Sequence, residues 1–367
     1  MIRFAPRALV ALVIAACTAT RPIEPEARSA RAPKSEPTRA GVVDLHVDLP
    51  HATHNKHVAL EDAQASPSRL LRGGVAVILA PMFVPRAYAM TPSEARAAYD
   101  RIAADFLRVI PSLGETRAWL SFEGADGFAD DPSAIDAWMA RGACLVGLVH
   151  DRGNALGGAS MDPRRDERAR GLSEVGKALA AHVVARGGIL DLAHASDATM
   201  DDLLAIARAA GAPVVDSHTG VRSQRAIMRN VDDAHMRAIA ESGGVVGISM
   251  HGGHVGKIPG APPTLADYVD AMTHAIEIAG VDHVAIGSDF DGSIEAPPDA
   301  DGESVWPRVR ALLVARGVRD EDVTKIFGTN ARRVFEWARA HGCIPGARDQ
   351  VISADETRPR GRSRRSR

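Results

Sequence analysis

Histidine and carboxylate side chains recur at the ends of apolar, strand-like segments of this 367-residue chain. The first of these segments, VVDLHVDLP at residues 42–50, carries His46 and Asp48. Because side chains alternate across a strand, this spacing predicts that both side chains point to the same side. Such a pair is either half of a metal site or a hydrogen-bonded pair in a core, and the pair alone favours the second interpretation.

Five other segments also end in a residue that can bind a metal ion or transfer a proton, and this recurrence favours the metal site. These residues are Glu123, His150, His194, His218 and Asp289. Imidazoles and carboxylates without thiolates are typical ligands of zinc and similar divalent ions. They are too many for one tetrahedral site that keeps an open position. The set therefore predicts two metal ions that share a carboxylate, an arrangement suited to hydrolysis.

Strand-like and helical segments alternate between residues 41 and 343. The strand candidates are residues 42–48, 75–83, 117–123, 144–150, 188–194, 213–218, 245–249 and 283–289. One helix is expected to open with a capping box of Thr91 and Glu94, and another has Ser173 as its N-cap. Eight such units in roughly 300 residues fit an α/β fold of the (β/α)8 TIM-barrel type, with the site at the C-terminal mouth. A doubly wound open sheet is the alternative, although no nucleotide-binding glycine motif follows the first strand.

Six motifs resemble, in order and spacing, those of the membrane (renal) dipeptidases, peptidase family M19, which are metal-dependent amidohydrolase-like enzymes. The motifs are DLHVDLP, SFEG, GKALAAHVVARGGILDLAHAS, SHTGVR, MRNVDD and AIGSDFDG. The resemblance covers most of residues 41–340. It implies a metallo-dipeptidase on a metallo-dependent hydrolase barrel, with two Zn²⁺ ions per subunit.

The resemblance also implies a metal ligand set. His46 and Asp48 would bind one zinc ion, while His194 and His218 would bind the second. Glu123 would bridge the two ions. The peptide bond would then be hydrolysed by a metal-bridging hydroxide, with Glu123 as part of the catalytic centre.

Three further residues receive substrate-binding and catalytic roles from the resemblance. His150 would stabilise the oxyanion above the scissile carbonyl, and Arg229 would bind the terminal carboxylate of the substrate. Asp289 would contact the substrate and transfer protons at the bridging water and the leaving amine. The implied substrates are small dipeptides, including those with a D-residue at the C-terminal position. The resemblance also allows a homodimer.

Other residues carry narrower expectations. Asp191 and Asp216 each either support a nearby ligand histidine or pack in a strand, and both interpretations stay open. Asp291 is expected to stabilise its loop rather than bind metal. His251 stands where family members often carry an aromatic pocket residue, which leaves the side-chain preference of the site open. Pro50 is expected to end the first strand.

The N-terminal residues resemble a bacterial lipoprotein signal. An apolar run too short to span a bilayer ends in IAAC at residues 14–17, so Cys17 is predicted to be lipidated. A plain secretory signal or a short N-terminal anchor is the alternative. Residues 18–40 are predicted to form a flexible tether, residues 41–343 the dipeptidase domain, and residues 344–367 a basic disordered tail. The predicted location is the periplasmic side of the cell envelope, with the outer membrane favoured by Thr18 after the lipidated cysteine.

The composition and the positions of the cysteines exclude some functions and some kinds of metal site. The net charge of −2 gives no reason to expect nucleic-acid binding. Cys144 and Cys343 are not expected to form a structural disulfide, and the absence of a cysteine cluster argues against a thiolate zinc site. Two alternatives to a dipeptidase remain: a related binuclear amidohydrolase or lactonase, and a non-catalytic envelope lipoprotein. The intact set of ligand residues argues against the second.

Overall fold

A computed structural model describes residues 41–85, 91–258 and 260–346. Within these residues, parallel strands pair in sequence order and close into an eight-stranded barrel, with β8 beside β1. The barrel is the predicted one, and the open-sheet alternative is wrong. The strands are β1 (Val42–Asp44), β2 (Val75–Phe83), β3 (Arg117–Glu123), β4 (Leu145–Gly147), β5 (Ile189–Asp191), β6 (Val214–Thr219), β7 (Val245–Ile248) and β8 (Val284–Ile286).

Helices follow most of the strands and cover the barrel. Those of the described residues are α1 (Pro67–Gly73), α2 (Pro92–Val109), α3 (Asp136–Met139), α4 (Arg165–Arg168), α5 (Glu174–Ala185), α6 (Asp197–Ala210), α7 (Asp233–Glu241), α8 (Gly252–Val255), α9 (Leu265–Ala279), α10 (Trp306–Ala315), α11 (Asp320–Thr324) and α12 (Asn330–Ala340). The predicted capping box of Thr91 and Glu94 is present at the start of α2. Ser173 caps α5 by accepting a hydrogen bond from the backbone N–H of Gly176. Both predicted caps are therefore confirmed.

The core lies on both sides of the strands. Every residue of β6 and β7 is buried, as expected for strands that face side chains inside the barrel and helices outside it. Large side chains such as Trp306, Tyr268 and Phe106 are fully buried in the helical layer. This packing holds the C-terminal ends of the strands in a fixed ring.

Several strand ladders end before the residues that could do chemistry. β1 ends at Asp44, so the expectation that Pro50 terminates this strand is wrong. Pro50 instead precedes a short helical turn at His51–Asn55, which its φ of −60° suits. His194 and Asp289 have φ values of 64° and 67°, a left-handed conformation that is uncommon for residues other than glycine. The backbone therefore turns sharply at both positions, immediately beyond the ladders.

Cys144 and Cys343 form a disulfide, with their Cα atoms 5.8 Å apart. The expectation that these cysteines stay unpaired is wrong. Cys144 directly precedes β4, and Cys343 follows the last helix, α12. The two cysteines are 199 residues apart in sequence, and closure of the barrel brings them together.

The N-terminal signal with Cys17, the tether and residues 347–367 of the tail lie outside the described residues. Among the residues that are described, no helix combines the length and apolarity needed to cross a membrane.

Candidate metal centre and active site

A cavity of about 490 Å³ opens at the C-terminal mouth of the barrel. It collects most of the residues that the sequence singled out. Those lining it are Asp48, Glu123, His150, His194, His218, Arg229 and Asp289. His46 is buried beside them, with its Nε2 atom 3.4 Å from Asp48 Oδ2. Residues from six different strand ends thus meet in one place.

Glu123 lies at the centre of this cluster. Its Oε1 atom is 2.9 Å from His194 Nε2, 3.4 Å from His218 Nε2 and 3.5 Å from His46 Nε2. Among the sets of three potential ligands with atoms within 4.8 Å of one another, two contain Glu123, and a further set in the same cluster joins His46, His218 and Asp289. One set is His46, Asp48 and Glu123, and the other is Glu123, His194 and His218.

The electrostatics of the cluster suit a bound cation. Burial raises the pKa of Asp48 to about 7 and raises the pKa of Glu123 well above its ordinary value. Burial also lowers the pKa values of the imidazoles of His46, His194 and His218, which favours their neutral, metal-ligating form. The carboxylates therefore lack a compensating positive charge among these side chains.

The unpaired atoms of the cluster point to the same chemistry. His46 Nε2 is buried and has no hydrogen-bond partner, and burial of an unpaired polar atom is costly. The Nε2 atoms of His194 and His218 are 3.0 Å apart, so both nitrogens face the same small volume. Imidazole nitrogens and carboxylate oxygens are suitable ligands for zinc or a similar divalent ion. The residues present fit two such ions.

Outer contacts hold the histidine rings, and sequence reasoning missed two of the residues that make them. Ser217 Oγ contacts Nδ1 of both His46 and His218, at 3.2 Å and 2.9 Å. Asp151 Oδ1 lies 3.3 Å from His194 Nδ1. Ser217 and Asp151 each adjoin a predicted site histidine in sequence, but adjacency alone does not reveal which ring a side chain contacts.

Asp191 and Asp291 both act through hydrogen bonds to the backbone. Asp191 Oδ1 accepts hydrogen bonds from the N–H groups of Ser217 and Ala193, at 2.9 Å and 3.1 Å. The structure therefore favours the supporting role for Asp191 over simple strand packing. The carboxylate of Asp291 accepts from the backbone N–H groups of residues 64 and 65, at 2.7 Å and 3.0 Å, as expected for a loop-stabilising residue.

Arg229 is only 2% exposed and contributes to the cavity wall. Its Nη2 atom donates to the backbone oxygen of His218 at 2.7 Å, while Nε and Nη1 are buried without a partner. The adjacent Asn230 connects this loop to the next one by donating a hydrogen bond to the backbone oxygen of His254 at 2.8 Å. A buried guanidinium with free donors is prepared to bind a carboxylate.

The cavity wall near Arg229 is also polar. His251 and His254 both line it, and their ring centroids are 4.4 Å apart. The structure thus places His251, the residue that departs from the family pattern, in the wall of the cavity.

His150 and Asp289 complete the cavity. His150 Nε2 lies 3.5 Å from Glu123 Oε1, and its ring packs on Phe83 with centroids 4.1 Å apart. Burial lowers the pKa of His150 to about 4, so the ring is neutral near pH 7. Burial, with the nearby charge of Asp48, raises the pKa of Asp289 well above its ordinary value. A neutral imidazole and a carboxyl group that tends to hold a proton are suited to hydrogen bonding and proton transfer.

A (β/α)8 barrel with imidazoles and carboxylates gathered at its C-terminal mouth has the architecture of a metal-dependent hydrolase. Residues 104–342 match the membrane dipeptidase family, peptidase family M19, and the chain belongs to this family. The matched range includes Glu123 and the site residues that follow it, whereas His46 and Asp48 precede it.

Two similar curated proteins are fungal dipeptidases. Dipeptidase ataJ of Aspergillus terreus is 31% identical over 252 residues, which are 64% of this chain and 60% of that protein. Dipeptidase aclJ of Aspergillus oryzae is 30% identical over 224 residues, which are 61% of this chain and 52% of that protein. The chain thus spans between half and two thirds of the length of these relatives.

Solved structures share the fold. Dipeptidase AC, a metallopeptidase of family M19, aligns with a TM-score of 0.72 at 22% identity, over 82% of this chain and 99% of that chain. A metallopeptidase from Rhodobacter sphaeroides, liganded with a phosphinate mimic of the dipeptide L-Ala-D-Ala, aligns with a TM-score of 0.71 at 21% identity. The alignment covers 81% of this chain and 99% of that chain. At these identities the similarity concerns the fold.

Proposed function

We propose that this protein is a zinc-dependent dipeptidase with two metal ions per chain. The observation that carries the proposal is the pair of ligand sets sharing Glu123, beside a cavity that contains the unpaired guanidinium of Arg229. Family membership and the dipeptidase relatives support the same reaction class. We include dipeptides with a C-terminal D-residue among the proposed substrates, because the similar Rhodobacter sphaeroides metallopeptidase is liganded with a mimic of L-Ala-D-Ala.

In this proposal, His46 and Asp48 hold one ion and His194 and His218 hold the other, with Glu123 shared. When bound, such a pair of ions lowers the pKa of water and polarises a carbonyl group. A serine or cysteine nucleophile is then unnecessary.

The other residues of the cavity would bind and orient the dipeptide. The free Nε and Nη1 donors of Arg229 would bind its C-terminal carboxylate. The neutral ring of His150 would donate a hydrogen bond to the scissile carbonyl oxygen as negative charge develops there. Asp289 would carry a proton to the leaving amine.

The test combines metal analysis with a dipeptide panel on one purified sample. We expect two zinc ions per chain and cleavage of dipeptides with a free C-terminal carboxylate, with L- and D-residues tested at each position. The proposal is wrong if the protein holds no stoichiometric divalent metal, or if the metal-loaded protein leaves the whole panel intact. Turnover of lactones or other amides alone would instead favour the related amidohydrolase.

An Asp289→Ala variant separates an enzyme from a non-catalytic binding protein. The substitution removes the carboxyl group that we assign to proton transfer but none of the proposed metal ligands. We expect the variant to keep its metal and to lose at least about 100-fold in kcat. Equal behaviour of variant and parent would contradict the catalytic role of Asp289.

We further propose that the protein is anchored in the cell envelope by a lipid on Cys17, on the periplasmic side and in the outer membrane. The disulfide between Cys144 and Cys343 supports an oxidising compartment, since disulfides persist there. A Cys17→Ser variant should lose labelling by a fatty-acid probe and leave the membrane fraction. An unlabelled parent protein would contradict the lipid anchor. We also propose a homodimer, which the resemblance allows, and sedimentation of the parent protein as a monomer in analytical ultracentrifugation would contradict it.

A further inference from the structure

One buried hydroxyl group connects the two proposed metal sites. Ser217 Oγ lies 3.2 Å from His46 Nδ1 and 2.9 Å from His218 Nδ1. His46 comes from the loop after β1 and His218 from β6, and in the proposed arrangement they hold different metal ions. The two rings pack together, with centroids 3.6 Å apart. Ser217 itself has no exposed surface.

The hydrogen-bonding capacity of a hydroxyl group matches these contacts. A serine oxygen accepts two hydrogen bonds and donates one. With both rings donating from Nδ1–H, the serine oxygen accepts both hydrogen bonds and keeps its own proton as a donor. Asp191 accepts from the backbone N–H of Ser217 at 2.9 Å, so the serine is held from two sides.

Donation from both Nδ1 atoms to Ser217 requires one particular tautomer in each ring. A neutral imidazole carries one proton, so protonation of Nδ1 leaves a lone pair on Nε2. The Nε2 atoms of His46 and His218 are the ones that face Glu123, at 3.5 Å and 3.4 Å. His194 does not share this contact, because its Nδ1 faces Asp151.

We propose that Ser217 is a positioning residue shared by both metal sites. It holds His46 and His218 in the tautomer that ligates through Nε2, and it thereby sets the metal affinity of both sites together. The inference rests on the proposed two-metal function, but it concerns a residue outside the ligand set.

The test compares Ser217→Ala with Ser249→Ala in the full-length protein. Ser249 is an equally buried serine just beyond β7, and its Oγ accepts a hydrogen bond from the backbone N–H of His251, at 2.9 Å. Zinc affinity of each site is measured by competition with a chromophoric chelator. We expect Ser217→Ala to weaken both sites by about 10- to 100-fold, the usual effect of removing an outer partner of a ligand histidine. Ser249→Ala should leave both affinities unchanged.

A second measurement needs no variant and so does not depend on how Ser217→Ala folds. In the zinc-loaded parent protein, ¹⁵N spectra of the imidazoles should show protonated Nδ1 atoms for His46 and His218. Nε2-protonated rings would overturn the inference, as would weakening of one site only or equal losses in the two alanine variants. A parent protein that binds no zinc would overturn the two-metal proposal itself, which is a distinct result.

Discussion

Replacing Arg229 by methionine removes a buried guanidinium while keeping a long, flexible side chain. The parent arginine makes a hydrogen bond to the backbone oxygen of His218 and leaves Nε and Nη1 free beside the cavity. If those free donors bind the substrate carboxylate, the variant leaves that carboxylate without its charged partner. The loss should therefore depend on whether the substrate carries a carboxylate.

The expected magnitude follows from the burial of this group. Arg229 is 2% exposed, so water does little to replace the lost interaction. Removing one partner of a buried, hydrogen-bonded charge pair costs about 2–5 kcal/mol. At 1.36 kcal/mol per tenfold change in rate, kcat/KM for a dipeptide should fall by about 30- to 5,000-fold.

The assay compares a dipeptide with its C-terminal amide, for the parent and for Arg229→Met. The parent should prefer the free carboxylate, and the variant should lose that preference. An Arg225→Met variant is the matched control, because this arginine lies on the same loop but donates to the backbone oxygen of Gly256 at 2.9 Å. Arg225→Met should keep the preference for the carboxylate.

Equal losses on the dipeptide and its amide would refute this reasoning. Arg229 would then act only through its hydrogen bond to the backbone of His218, as a support for the loop. The direct measurement is the ratio of the two kcat/KM values, which cancels any general loss of active protein.

Three further changes test other parts of the structure. Replacing Cys144 and Cys343 by serine opens a loop closed over 199 residues, which should lower the free energy of unfolding by up to about 5 kcal/mol; an unchanged urea midpoint would contradict this expectation. Glu123→Gln removes the carboxylate common to both ligand sets, so elemental analysis should find at most one zinc ion per chain, and two retained ions would argue against a shared ligand. His150→Phe keeps a ring against Phe83 but removes the N–H donor, so kcat should fall about 100- to 1,000-fold with little change in KM, whereas a change in KM alone would assign His150 to substrate binding.

Much of the barrel was predictable because its strands and helix caps are indicated by short stretches of sequence. Each of the eight strand candidates overlaps a strand of the barrel, and the caps at Thr91 and Ser173 stand where the sequence indicates. The C-terminal ends of most strands were predicted too far along the chain, because apolar residues continue past the ladders into loops that the barrel mouth buries. Leu45 and Val47, for example, lie beyond β1 and are completely buried.

The positions of the site residues followed from the same local pattern. Parallel strands in a barrel bring their C-terminal ends to one mouth, so residues at those ends must meet. Glu123, His194 and His218 therefore approach within hydrogen-bonding or ion-pair distance although the sequence spreads them widely. The family motifs added the division into two sets, which strand ends alone do not contain.

The sequence by itself determined the fold class and the residues available at the barrel mouth. Strand periodicity and strand ends depend on short stretches of sequence, which can be recognised without knowledge of distant contacts. The tertiary structure decided contacts between residues that no local pattern relates. The disulfide joins cysteines 199 residues apart, and Ser217 meets His46 across 171 residues. Such contacts depend on the exact closure of the barrel and on side-chain direction, which set distances of a few ångströms. For the same reason, the free donors of Arg229 became visible only in the folded chain.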